Sequence, residues 1–173
     1  MAKIITAAEA ADLIRDGMTL GVSGFGAFAS PDCVMEAMSR KFKEQNTPRD
    51  LTIVSGVAPG DFVEDGCGLS KIKDAGIIRT LIASHLRMSP AIGRACSENK
   101  IAAFSMPLGV YGQLLNAIGS KRPGIITHVG LNTYADPRQD GCKMNELAKA
   151  DGREMVELIH VSGKDYLFYK AFH

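Results

Sequence analysis

Tryptophan is absent, and aromatic residues make up only 6% of the 173 residues. A surface that stacks bases needs exposed rings in number, so nucleic acid is not an expected partner. Neither sign of charge dominates: 20 Lys+Arg stand against 19 Asp+Glu, for a formal net charge of +1. There is no basic stripe for a phosphate backbone and no acidic tail for a basic protein. No apolar run approaches bilayer-spanning length, which excludes a membrane helix. The N-terminal stretch MAKIITAAEAADLIRDG is amphipathic and carries acids, unlike a secretory leader. The four cysteines, Cys33, Cys67, Cys96 and Cys142, are far apart and include no Cys-x-x-Cys pair. A zinc site and a disulfide framework are thereby excluded, and free thiols in a reducing cytoplasm are expected. What is present is 46% hydrophobic and 23% charged residues, enough to bury a core in one domain and short for two.

Helix and strand signals alternate along the chain. Thr6-Ala-Ala-Glu9 is a capping box, predicting a helix over Ala7 to Arg15 that ends at Asp16-Gly17. Met18 to Val22 reads as a strand. Ser30-Pro31-Asp32 predicts a serine cap, a proline in the first helical position and an acid in the first turn. Val34, Met35, Met38 and Phe42 then carry the buried stripe of that helix. Leu51 to Ser55, Ile77 to Ala83, Ile101 to Ser105 and Ile125 to Val129 read as strands. A long polar loop with Asp61, Glu64 and Asp65 follows the first of these. Ser89-Pro90 starts a helix to about Cys96, and Leu114 to Ile118 ends another. Met155 to His160 and Tyr166 to Phe172 flank Ser162-Gly163-Lys164-Asp165 as a β-hairpin. The methionines fall at apolar positions and are expected in the core. This alternation predicts an α/β fold, a mostly parallel sheet flanked by helices with a C-terminal hairpin. Ligands of such sheets bind outside the carboxyl ends of the strands.

One such end carries Gly21-Val-Ser-Gly-Phe-Gly-Ala-Phe-Ala-Ser-Pro-Asp32. Its glycines let a ligand approach the main chain, and the helix that follows offers free N–H groups. Together they suit an anion or a developing oxyanion. The stretch is neither a P-loop, since no Gly-Lys-Ser/Thr follows, nor a complete dinucleotide fingerprint, since Ala29 stands where the third glycine belongs. A tight strand-to-helix turn without a ligand explains the pattern equally well.

The segment DGMTLGVSGFGAFASPD resembles the first signature of the family I coenzyme A transferases. Asp16, Gly17, Gly24, Phe25 and Pro31 match that pattern. Ser23 replaces the first of its paired glycines, Ala29 replaces a later one, and Gly21 interrupts the apolar strand. The blocks Thr47 to Ser55, Ala83 to Val110, Lys121 to Glu146 and Lys164 to Phe172 resemble the propionate- and acetate-type branch, so the likeness covers almost the whole chain. It implies a fold shared with ribose-5-phosphate isomerase. It also implies an enzyme that moves coenzyme A between a thioester and a free carboxylate through a glutamyl-CoA intermediate. Coenzyme A and acyl-CoA are then substrates, and no permanently bound cofactor or metal is expected.

The family places its nucleophilic glutamate in a second half, so no catalytic residue is expected in residues 1–173. Ser97-Glu98-Asn99-Lys100 imitates that motif without its final glycine, and Glu98 reads as a solvated helix-end acid. The resemblance assigns the acyl or oxyanion pocket to Ser23, Gly24, Phe25, Gly26, Pro107, Leu108 and Gly109. Relatives carry glutamine at the position of Leu108, and a leucine cannot donate a hydrogen bond. Ser23 is either the replacement donor or a hydroxyl capping its own loop. Asp136, Arg138, Lys143 and Asn145 are candidate contacts to coenzyme A, although Asp136 and Arg138 also fit an internal ion pair. His85 reads as a hydrogen-bonded loop residue.

The chain is therefore expected to be an N-terminal, α-type domain, incomplete at its C-terminus, that lines the acyl pocket. A C-terminal, β-type half is its expected partner, with short-chain carboxylates as substrates and a homo- or hetero-oligomer as the assembly. A non-catalytic module of the same fold, binding a phosphate or carboxylate effector, is the alternative. A sugar-phosphate isomerase lacks a convincing acid–base set.

Overall fold

Four of the apolar runs pair side by side in a computed structural model that describes residues 3–172. In chain order the elements are α1 (Ala7–Asp12), β1 (Thr19–Gly21), α2 (Asp32–Gln45), β2 (Leu51–Val54), a 3-10 turn (Gly68–Ile72), β3 (Ile78–Ala83) and α3 (Pro90–Ser97). There follow β4 (Ala102–Ser105), α4 (Leu108–Gly119), β5 (Gly124–Thr127), α5 (Glu146–Ala150), β6 (Val156–Val161) and β7 (Lys164–Lys170). Strands β1 to β4 form a parallel sheet in chain order. A sheet wound in one direction puts its crossovers on one face, because parallel connections share a hand.

Side-chain alternation divides the interior into two cores. Leu51, Ile53, Leu81, Ala83 and Ala103 pack with Met35, Met38, Ile72 and Ile92 from the crossover side. Their neighbours Val54, Ile82, Ala102 and Phe104 point the other way, onto Val110 and Leu114 of α4 and Leu167 and Tyr169 of β7. A central sheet covered on both faces accounts for strands that read as continuous apolar runs rather than alternating ones. Val34 and Phe42 join Met35 and Met38 against the first core, as the stripe on α2 predicts. Five methionines are buried, whereas Met18 and Met144 are exposed.

The last strands form a separate antiparallel sheet in the order β5-β7-β6, with β6 and β7 joined across Ser162–Gly163. The hairpin is as read from sequence, but β5 does not extend the parallel sheet. The free edge of β4 is already taken: Ser105 N–H donates to Cys142 O at 2.8 Å, and Met144 N–H to Ala103 O at 2.9 Å.

Local expectations are corrected at the end of α1 and the start of α2. Helix α1 has its Thr6 capping box but stops at Asp12, short of Arg15. The Asp16 carboxylate accepts from Thr47 Oγ1 at 2.6 Å and from Arg49 N–H at 2.9 Å, which draws the chain out of the helix toward β2. Ser30 does not cap α2: Pro31 stands at the cap, and the Ser30 hydroxyl is buried without a partner. Asp32 instead accepts from Gly68 N–H at 2.9 Å, tying α2 to the 3-10 turn. That turn and α5 carry no apolar period long enough to announce them. Among the described residues, no helix is long and apolar enough to cross a membrane, and no group of three or more His, Cys, Asp or Glu is arranged to hold a metal ion.

Candidate functional site

The loops after β1, β2 and β3 and the start of α4 converge at the carboxyl ends of the parallel strands. A cleft of about 410 Å³ opens there. Gly21, Val22, Ser23, Gly24 and Gly56 form its sheet side, and Tyr111 and Leu115 of α4 face them. Gly24 has φ +131°, and a methyl group on it would stand 3.1 Å from Pro59 Cβ, so only glycine serves. The loop is tied down from behind: Gly60 N–H donates to Gly26 O at 3.1 Å, and Gly26 N–H meets Met88 Sδ at 3.2 Å. Phe25 and Phe28 exchange two backbone hydrogen bonds of 3.1 Å and leave both rings exposed. The N–H groups of Ser23 and Gly24 donate to no protein acceptor among the described residues.

Ser23, Gly24 and Leu108 are thus gathered at one site. Leu108 is half exposed, and its Cδ1 would lie 3.3 Å from a methyl group on Gly56, as would the Tyr111 ring. Pro107 caps α4, Gly109 lies exposed in its first turn, and Phe25 and Gly26 shape the loop beside the cleft. Gly56, Tyr111 and Leu115 were missed by the sequence reading. A signal for Gly56 was present: Val54-Ser55-Gly56 ends β2 with the same three residues as Val22-Ser23-Gly24 after β1.

The candidates from the polar loop lie elsewhere and are engaged within the protein. Asp136 is buried and accepts from Asn132 N–H at 2.9 Å, Arg138 N–H at 3.0 Å, Arg138 Nε at 3.0 Å and Arg138 Nη2 at 2.7 Å. Arg138 Nη1 continues to Asp165 at 3.1 Å. Both donors of the Asn145 amide are used, on Cys96 O and Ile101 O at 2.7 Å, and its oxygen accepts from Ala103 and Ala148 N–H. Its amide therefore ties α5 to β4, with no N–H left for a ligand. Lys143 pairs with Glu154 at 2.6 Å and, with Ser105, Tyr134 and Lys149, lines a separate recess of about 320 Å³. His85 is an exposed loop residue whose carbonyl accepts from Ala58 N–H at 3.0 Å. Glu98 caps the end of α3 and pairs with Lys100 before β4, at the opposite end of the sheet from the cleft. Burial pushes the Cys96 and Cys142 thiols up to about 12, so neither offers a thiolate.

The Asp136 cluster has a measurable consequence. The Arg138 hydrogen bonds hold the Asp136 carboxyl well below the ordinary carboxylate range. A lowered folded value stabilises the protein above the unfolded value of about 3.9, and this contribution fades as pH falls below it. Urea midpoints measured at pH 7 and pH 3 should therefore fall more steeply for the wild type than for Asp136→Asn. Equal losses for the two proteins would remove the Asp136 cluster as a source of acid sensitivity.

Comparison with known proteins then places the chain. Residues 4–173 match the family described as Coenzyme A transferase. Caffeate CoA-transferase of Acetobacterium woodii is 42% identical over 99% of this chain and 32% of its own length. The acetate CoA-transferase subunit alpha of Escherichia coli strain K12 is 28% identical, over 78% of this chain and 57% of that subunit. Among solved structures, the acyl-CoA transferase YdiF of E. coli O157:H7, in a thioester complex with CoA, superposes with a TM-score of 0.89 at 35% identity, over 97% of this chain and 34% of that one. The chain spans about a third of the length of the caffeate enzyme and of the YdiF structure.

Proposed function

The chain belongs to the coenzyme A transferase family, and on that premise we propose that it is the N-terminal, α-type domain of an acyl-CoA:carboxylate CoA-transferase for short-chain acids of the acetate and propionate type. The observation that carries this reading is the cleft of bare main chain, Val22 to Gly24 facing Gly56, where the unpaired N–H groups of Ser23 and Gly24 suit a carboxylate or the oxyanion of a tetrahedral adduct. Leu108 and Tyr111 stand so near Gly56 that even a methyl group there would be crowded, which favours a small acyl group at that end.

The chemistry divides between two halves. A glutamate of a C-terminal, β-type half attacks the acyl-CoA carbonyl and expels coenzyme A thiolate, which then attacks the glutamyl carbonyl of the anhydride, releasing the first carboxylate and leaving a glutamyl thioester. The second acid reverses the sequence. This chain holds the acyl oxygen during each addition to the acyl carbonyl and excludes water from one side. Contacts to the rest of coenzyme A, with the Lys143 recess as a candidate, supply binding energy for the reacting end. Coenzyme A and acyl-CoA are substrates here. The α-type domain and its partner form a homo- or hetero-oligomer in the cytoplasm. The relatives described above are transferases, so the effector-binding alternative gains no support from them.

Reconstitution tests this division. The chain is mixed with a C-terminal half and assayed for transfer from acetyl-CoA to propionate, then treated with borohydride in the presence of acyl-CoA. Mass spectrometry should find the reduced glutamyl residue on the C-terminal half. A reduced residue on this chain, or transfer by this chain alone, overturns the division of labour. Faster transfer to caffeate than to propionate overturns the short-chain assignment.

A further inference from the structure

We infer that Ser55 is a positioning residue that interrupts the β1–β2 ladder so that the Gly24 and Gly56 amides face the acyl oxygen instead of the neighbouring strand. The inference rests on the CoA-transferase reading of the cleft and adds to it the device that keeps the cleft open.

Register gives the starting point. Thr19, Leu20 and Gly21 pair with Thr52, Ile53 and Val54. Thr52 N–H donates to Met18 O at 3.0 Å, and Val22 N–H donates to Val54 O at 2.9 Å. A parallel ladder continues with evenly spaced bonds from alternate residues. The next two rungs would run from Gly56 N–H to Val22 O and from Gly24 N–H to Gly56 O. Neither is made.

Both acceptors have been taken by other donors. The Ser55 hydroxyl, fully buried, donates to Val22 O at 2.8 Å and fills the place of the Gly56 amide. On the other side, the Gly56 carbonyl accepts the Ser84 N–H at 3.1 Å and also the Ser84 hydroxyl, which commits it to the loop after β3. The N–H groups of Gly24 and Gly56 therefore have no protein acceptor among the described residues. Both residues line the cleft, and both are glycines, so no Cβ shields either amide from a ligand. Both glycines are half-buried at the wall of the cleft, so their amides, left out of an otherwise paired ladder, stay open to a ligand oxygen. A carboxylate or thioester oxygen is the acceptor that fits. The thioester oxygen gains full charge only as the tetrahedral adduct forms, so toward it these donors act most strongly in the transition state. Leu108 supplies no amide side chain at this site, and a main-chain pair takes over that role without a side-chain donor.

The test uses exchange and kinetics together. In the isotopically labelled chain, the Gly56 amide should exchange rapidly with solvent and shift on titration with acetate, together with the Gly24 amide. In Ser55→Ala the Val22 carbonyl is vacated, the Gly56 rung closes, and exchange at Gly56 slows. General destabilisation would speed exchange instead, so the direction separates positioning from a structural role. In the reconstituted enzyme, kcat of Ser55→Ala should fall about 10²-fold with KM for acyl-CoA little changed. Ser55→Thr keeps the hydroxyl and should retain most of the activity. A Gly56 amide already protected in the wild type, or a Ser55→Ala enzyme with full kcat, overturns the inference and leaves the CoA-transferase reading in place. Gly24 and Gly56 shifting with acetate, in a reconstituted protein that transfers no CoA, supports the carboxylate site and removes the CoA-transferase reading.

Discussion

Replacing Gly68 by alanine is expected to cost about 4 kcal/mol, enough to bring a protein of ordinary stability close to unfolding. Two penalties combine. Gly68 has φ +67°, a conformation that costs an alanine about 1 kcal/mol or more. A methyl group there would also overlap the Pro59 carbonyl, which is backbone and cannot swing aside. Forcing extra volume into such a contact typically costs about 1–3 kcal/mol, and more when the neighbour is fixed. Pro59 is fixed from several directions: its carbonyl accepts from Leu69 N–H at 2.9 Å and from Ser89 Oγ at 2.7 Å. Its ring also lies against Gly24. The substitution thus pushes apart the 3-10 turn, the start of α3 and the back of the glycine loop at once. Urea unfolding followed by circular dichroism measures the loss, and acetate titration of the Gly24 amide reports whether the cleft survives in the folded fraction. An unchanged midpoint would show that the loops around Pro59 relax freely.

Truncating Phe104 to alanine is expected to lower stability by about 3–5 kcal/mol. Its ring is fully buried at the centre of the second core, between the sheet and α4. The loss combines transfer of the ring to water with a cavity that neighbouring elements cannot close, since β4 is hydrogen-bonded along both edges. The Arg153 guanidinium, 5.8 Å from the ring centroid, loses its partner as well. The melting temperature should drop by about 10 °C, with Phe104→Leu losing much less. A drop for alanine no larger than that for leucine would mean that the core repacks around the gap.

These two positions show which parts of the architecture sequence makes visible. Phe104 sits in an apolar run that reads as a strand without any help, because a strand covered on both faces must be apolar at every position. The capping box at Thr6, the stripe on α2 and the hairpin after Met155 are legible for the same reason: each depends on residues within a turn or two of one another. Gly68 gives no such signal. Its necessity comes from Pro59, which reaches it only when the β2–β3 loop folds back on itself. Helix α1 shows the limit in another way, since a side chain at Asp16 reaching Thr47 and Arg49 decides where the helix ends.

The candidate site divides along the same line. Composition, the run of strands and the glycine loop between Gly21 and Asp32 sufficed to set the class of fold, the end of the sheet that carries the cleft, and the resemblance to CoA-transferases. They sufficed because glycine and a helix start act locally on the backbone that carries them. Which loops meet there was decided by tertiary structure alone. Pairing of β1 with β2 brings Gly56 opposite Gly24, and the turn into α4 lays Leu108 and Tyr111 over it. The same packing commits Asp136 and the Asn145 amide to partners inside the protein and ties Arg138 to Asp136 and Asp165. A sequence names the donors and acceptors a chain possesses, but only the folded arrangement settles which of them are already spent on one another.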